Sequence, residues 1–217
     1  MYNVIVKVKV RNKIYNIYLQ NVASDLNLND RVVVQTEHGI ELGLVYRYIF
    51  IKKNKNISYQ NKVLTQILRK ATKHDEEVYI NNQEKAIKIR SMVKLVIEKH
   101  NLYVKLIYMY YVLDCSKLFL YYVSNKRIDF RSLVKRLGVI LKTKIQMVQI
   151  GVRDETKIIG GIGICGQILC CKRFLSKFNS VTINMIKDQH MFLNINKLSG
   201  FCNRLKCCIS YEQCKKI

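Results

Sequence analysis

No stretch of this 217-residue chain stays apolar for anything near the ~18 residues a membrane-crossing helix needs, which excludes an integral helical membrane protein. Met1 leads straight into alternating valines and not into the apolar core of a secretion signal, so the expected location is the cytoplasm. Proline is absent altogether, while Lys, Asn, Ile and Tyr are abundant, the composition an AT-rich genome produces. Acidic residues are scarce, 15 against 38 lysines and arginines, for a net charge of +23. Two explanations of that charge stay open. It fits an RNA or other polyanionic partner, and it also fits genome composition, since 27 of the 38 basic residues are Lys. Either way the surface attracts RNA non-specifically, with strong salt dependence.

Catalytic patterns are also missing. His38, His74, His100 and His190 are scattered without metal-ligand spacing. The one glycine-rich run lacks the Gly-Lys-Ser/Thr ending of a phosphate-binding loop. Arg153-Asp154-Glu155 supplies carboxylates without a base–nucleophile arrangement. The chain therefore reads as a non-enzymatic protein. With 49% of its residues hydrophobic it has the material for a folded core.

What is present sorts into three segments of an α+β protein. Residues 1–60 are expected to form a small N-terminal β unit and a linker. YNVIVKVKV sets Val4, Val6, Val8 and Val10 against Lys7 and Lys9, the two-residue period of a half-buried strand, and IYNIYL returns from it. RVVVQTEHGIELGLVYRYIF reads as a second hairpin with Gly39 in the turn, and the polar IKKNKNISYQNK as the linker. Residues 61–150 predict a helix-strand-strand-helix-strand module. Its first helix spans roughly 82–100, with Asn81 and Glu84 as the cap signal and Ile89, Met92, Val93, Val96 and Ile97 as the apolar stripe. Two strands follow, rich in β-branched and aromatic residues, and Asp129 is placed to cap a second helix that buries Leu133, Val134 and Leu137. Tyr103, Tyr108, Tyr110, Tyr111, Tyr121 and Tyr122 are expected in the core or on a sheet face, with base stacking as the alternative.

Residues 151–217 are rich in cysteine and glycine and form the candidate metal-binding region. GICGQILCC at 163–171 recurs as GFCNRLKCC at 200–208, so Cys165, Cys170 and Cys171 reappear as Cys202, Cys207 and Cys208, each 37 residues on. In a reducing compartment such cysteines are better read as metal-binding, catalytic or buried than as disulfides. Each glycine-led turn, built on Gly160, Gly161, Gly163 and Gly166 or on Gly200, supplies about two well-directed thiolates. Two turns then supply four, which suits either Zn2+ or an iron–sulfur cluster. The spacing matches no common zinc finger. Structural thiols and thiol redox exchange are the other readings. Cys115 reads as structural and Cys214 as a spare thiol.

Several stretches carry a family resemblance. QIGVRDETKIIGGIGICGQILCCKRFL (149–175), INMIKDQ (183–189) and KLSGFCNRLKCCISYE (197–212) resemble the bacterial YaaT family, also called RicT. NQEKA (82–86) and RIDFRSLVKRL (127–137) fit the family's middle region, which carries the polymerase-suppressor C-terminal conserved region, and MYNVI fits its start. The resemblance implies a cytoplasmic regulator of cell fate, without membrane insertion. It implies a complex with small helical partner proteins that carries [4Fe-4S] clusters and is linked to RNase Y and to the maturation of polycistronic mRNAs. RNA itself is a further candidate partner. The candidate ligands it implies are Cys165, Cys170, Cys171, Cys202, Cys207 and Cys208, not all needed if partners complete the shell. Ile164 and Ile195 stand where the family has Pro, Gln167 where it has Arg, and Asn203 where it has Gly.

Overall fold

The structure, a computed structural model, describes residues 2–11, 13–18, 26–52, 66–124, 126, 128–175, 178–191 and 194–213. Most of the expected linker and Cys214 lie outside the described residues. The fold is α+β, and the chain divides into two compact units. One comprises Met1–Tyr103, Met109–Leu120 and Ile128–Met147, the other Val104–Tyr108, Tyr121–Arg127 and Val148–Ile217.

The first unit begins with a five-stranded antiparallel sheet. Strands β1 (Tyr2–Val10), β2 (Lys13–Tyr18), β3 (Arg31–Thr36), β4 (Gly39–Lys52) and β5 (Gln66–Lys70) lie in the order β2-β1-β4-β3-β5. The edge strands β2 and β5 also approach each other, so the sheet curls toward closure. Alternation in the sequence becomes alternation in space: Val6, Val8 and Val10 join Ile17, Val32, Val34 and Val45 in one buried cluster, while Lys9 is exposed. The β3–β4 hairpin closes with Thr36 opposite Gly39 (φ 137°). Gly43 faces this core, where an added Cβ would lie 2.5 Å from Val8 Cγ1 and 3.0 Å from Val10 Cγ2. The sequence reading has no strand at 66–70. Four of the five residues of β5 are exposed, so an edge strand of this kind offers no alternating pattern to read.

Helix α1 runs Lys73–Lys99 and so begins nine residues before the expected start. Its cap is Thr72, whose Oγ1 accepts from the Asp75 N–H (3.4 Å), while the Asp75 carboxylate accepts from the Thr72 N–H (2.8 Å). Asn81 lies inside the helix. The apolar stripe starts late because the first turns are polar, and Asn82 is buried there by donating to the carbonyls of Val112 (3.1 Å) and Leu113 (3.2 Å). Helix α2 (Arg131–Leu141) buries Leu133 and Leu137 as expected, whereas Val134, the third residue of the expected stripe, is only half-buried. Its N-cap is Phe130; Asp129 sits one residue earlier and accepts from the Arg131 N–H at 2.9 Å.

Strands β6 (Lys105–Tyr111), β7 (Lys117–Val123) and β8 (Lys144–Gln149) form a three-stranded sheet in the order β6-β7-β8. Tyr110, Tyr111 and Tyr122 are buried, which bears out packing over base stacking for them, whereas Tyr103 is 95% exposed. Arg11 ties the first sheet to this region: its guanidinium lies 3.5 Å from the centre of the Tyr110 ring, pairs with buried Glu41 at 3.5 Å and donates to the Tyr111 carbonyl at 3.2 Å. Cys115 is half-buried and its thiol donates to Asn82 Oδ1 at 2.9 Å, the structural role expected of it.

The second unit carries the short helices α3 (Val152–Ile159), α4 (Cys170–Arg173), α5 (Ile183–Asp188), α6 (Ile195–Leu198) and α7 (Cys207–Glu212). Ile186, Leu198 and Ile209 form its buried cluster, with Val181, Met185 and Leu205 against them. Among the described residues no helix is long and apolar enough to cross a membrane.

Candidate metal centre

The sequence repeat is a structural repeat. In the first loop the Gly163 N–H donates to Gln167 (2.8 Å), Gly166 to Gly163 (3.0 Å) and Leu169 to Gly161 (3.1 Å). In the second, Gly200 donates to Arg204 (2.8 Å), Asn203 to Gly200 (3.0 Å) and Lys206 to Leu198 (3.0 Å). The bridges Ile162–Ile168 and Ser199–Leu205 clamp the two loops at corresponding places. Each loop runs into a short helix whose first two residues are the paired cysteines, Cys170-Cys171 in α4 and Cys207-Cys208 in α7. The backbone before each pair is alike, with Leu169 at φ −48°, ψ 128° and Lys206 at φ −58°, ψ 129°.

In each loop the lone cysteine folds back over the leading glycine. Cys165 Sγ lies 3.4 Å from the Cβ position of Gly163, and Cys202 Sγ 3.9 Å from that of Gly200. All six repeat cysteines border a single cavity of about 240 Å³, together with Arg153, Thr156, Leu169 and Leu205. Cys171 is buried, Cys165 is exposed, and the other four are half-buried, all with free thiols.

Burial is the main force on the inner thiols. It pushes up the Cys171 thiol, and the neighbouring Cys202 and Cys170 add to the effect. Cys207 is raised by burial and then by Cys170, with Arg153 pulling the other way. Cys208 is raised by burial, Glu212, Cys170 and Cys207. Thiols of one loop thus lie within electrostatic reach of the other loop's. A protonated, buried thiol is a poor nucleophile, which argues against redox exchange at these three; a bound cationic centre would reverse the balance by stabilising thiolates.

The donor set is all sulfur, which suits Zn2+ or an iron–sulfur centre. Among the described residues no three His, Cys, Asp or Glu side chains converge as ligands of one ion.

Arg153 is the residue that sequence reasoning missed. In the stretch Arg153-Asp154-Glu155 the sequence points to the carboxylates, yet Glu155 is paired with Lys105 at 2.7 Å. Arg153 instead borders the cysteine cavity, donates to the Leu205 carbonyl at 3.3 Å and lies over the Phe178 ring at 5.1 Å. No local pattern signals this, because its partners are 25 and 52 residues away.

Comparison with known proteins gives the geometry a family. Residues 65–150 match the model of the PSP1 C-terminal conserved region, and residues 180–215 that of the third domain of PSP1-like proteins. The stage 0 sporulation protein YaaT of Bacillus subtilis is 39% identical over 215 residues, covering 98% of this chain and 76% of the relative. An uncharacterised protein of Schizosaccharomyces pombe is 28% identical over 173 residues, 62% of this chain and 23% of the longer protein. No solved structure matches the chain. Near-complete coverage at this identity, over a stretch that includes both cysteine loops, places the chain in the YaaT family of proteins with a PSP1 C-terminal conserved region.

Proposed function

We propose that the chain is a non-enzymatic regulatory subunit of a cytoplasmic complex, that its paired loops hold a [4Fe-4S] cluster, and that it modulates RNase Y-dependent maturation of mRNA. The observation that carries this reading is the meeting of both loops, with all six repeat cysteines, around one cavity. Cys165, Cys170, Cys171, Cys202, Cys207 and Cys208 would hold the cluster, with small helical partner proteins free to complete its shell. When bound, the cluster supplies a redox-sensitive charge; ligation requires thiolates and couples to folding. Ile162 (68% exposed), Ile164 (75%) and Phe201 (63%) stand at the cavity's border, and an exposed apolar patch of this kind marks a protein-interaction surface. The Bacillus subtilis relative is named for sporulation, whereas the role proposed for this chain is in RNA processing. Anaerobic purification with iron, sulfide and zinc analysis tests the metal. A brown protein with iron and sulfide is expected, and a colourless protein with one zinc would replace the cluster by a zinc-stabilised RNA-binding module. Transcript mapping in cells lacking the chain tests the pathway: RNase Y-dependent polycistronic mRNAs should accumulate unprocessed.

A further inference from the structure

Behind the second cysteine loop lies another cavity, of about 600 Å³, bordered by Gly151, Arg153, Asp154, Phe178, Asn179, Ser180, Val181, Arg204 and Leu205. Its volume is within the range of small-ligand sites, but its lining is mostly polar and charged, unlike a typical drug-like pocket. Two guanidinium groups, an amide and a hydroxyl border it, which is a donor-rich set. Arg153 Nε is closed off from solvent without a hydrogen-bond partner among the described residues, while a terminal nitrogen of the same guanidinium donates to the Leu205 carbonyl at 3.3 Å. Helix α3 starts at this wall with Gly151 as N-cap, so the partial positive charge of its first turn faces the same ligand. These features select an anion. Asp154 and the Phe178 ring select further, because a bare phosphate has no use for a carboxylate acceptor or an aromatic face.

We propose that this cavity holds one nucleotide unit of a single-stranded RNA. Arg153 and Arg204 take the phosphate, Asp154 accepts the ribose 2′-hydroxyl, and the Phe178 ring packs against the base. The chain's net charge of +23 favours a polyanionic strand over a free mononucleotide as the occupant. The site rests on the RNA-processing role proposed above, and gives that role a point of contact. Arg204 is also one of the positions at which the two loops differ: its counterpart in the first loop is Gln167, on the same backbone turn. The two cavities share Arg153 and Leu205 as common borders, so the RNA contact lies one side chain from the thiol cavity.

The test uses the full chain and a fluorescently labelled 12-nucleotide RNA, read by anisotropy across a salt series, beside the DNA of the same sequence and AMP as competitor. Arg204→Gln is the key variant, since the first loop already folds with Gln in this position. It should weaken RNA binding about fivefold and lower the salt slope by about 0.7, the share of one phosphate on a single strand. Asp154→Asn should narrow the preference for RNA over DNA. Lys94→Ala, on the exposed side of α1, serves as the control for loss of one surface charge and should fall well short of Arg204→Gln. If Arg204→Gln binds no worse than Lys94→Ala, or if AMP displaces the RNA at comparable concentration, the strand-contact site is wrong. The visible spectrum of the same samples reports cluster content separately. Lost RNA affinity in a fully coloured Arg204→Gln protein supports the site, and absence of colour counts against the cluster reading alone.

Discussion

Gly166 and Asn203 occupy the same place in loops 37 residues apart, and both adopt the left-handed conformation, at φ 75° and φ 56°. Each donates its N–H to the glycine three residues back, at 3.0 Å in both loops. Asn is the side-chain-bearing residue that enters this region most readily, so the second loop keeps its turn without a glycine.

That equivalence predicts an asymmetric mutational response. Nothing lies within 4 Å of a Cβ placed on Gly166, so substitution there tests backbone strain alone. Gly166→Val should cost about 1–2 kcal/mol, and Gly166→Asn clearly less. Denaturant unfolding of the two variants side by side checks the order; equal losses would mean that the turn is not what Gly166 provides.

The cysteines should separate into two classes. Cys115→Ser should keep full metal content, because its hydroxyl can still donate to Asn82 and its position is a turn between β6 and β7. The pair Cys170→Ser with Cys207→Ser removes one thiol from each loop at the shared cavity and should abolish metal binding. Chelator treatment of the wild-type protein should raise the number of thiols that react with a disulfide reagent. Iron or zinc retained by the double variant would place the centre elsewhere.

Gly43→Ala inserts a methyl group 2.5 Å from Val8 and 3.3 Å from Val34, side chains with little freedom to retreat. Overpacking of this kind costs about 1–3 kcal/mol, and thermal melting should show the drop. Gly138→Ala, where the nearest atom is 3.8 Å away, should be neutral or mildly stabilising in its helix.

Asp75 gives the stability a defined acid limb. The Arg69 side chain, and then Thr72 through its N–H and hydroxyl, hold the Asp75 carboxyl well below the usual carboxylate range. A depressed folded-state value means the contribution is complete above the unfolded value of ~3.9 and declines as pH falls through the folded one. The melting difference between wild type and Asp75→Asn should therefore be constant from pH 7 to 5 and shrink below about pH 4, with the cap contributing about 1 kcal/mol. A gap that stays undiminished from pH 5 down to pH 2 would show that the carboxylate charge is not the source.

Ile195 is the first residue of α6 and is 77% exposed, and Asn194 before it is extended at φ −106°, ψ 109°. Both conditions suit proline. Ile195→Pro should stabilise the protein by about 0.4–1 kcal/mol through the unfolded state, measurable as a raised Tm at unchanged metal content.

The cysteine register was legible because identical residues at identical spacing leave a mark that needs no tertiary knowledge. The alternating valines of β1 and the stripe from Ile89 to Ile97 were legible for the same reason: each reports its own burial locally. Residues whose meaning depends on distant partners were not. Thr72 caps α1 ahead of any apolar periodicity, β5 shows too little alternation to be read, and Arg153 acts through Leu205 and Phe178, far along the chain. Phe130, not Asp129, ended as the cap of α2, since side-chain chemistry alone does not fix where the helical dihedrals begin.

The hydrogen bonds that close each cysteine loop span no more than eight residues, from Gly161 to Leu169 and from Leu198 to Lys206. Loops this short close in tens of nanoseconds, and the entropy of closing them is small. The folding chain therefore need not gather six separate sulfurs from a disordered coil. Each half closes through contacts of its own, so the step that depends on long-range order is the encounter between the two.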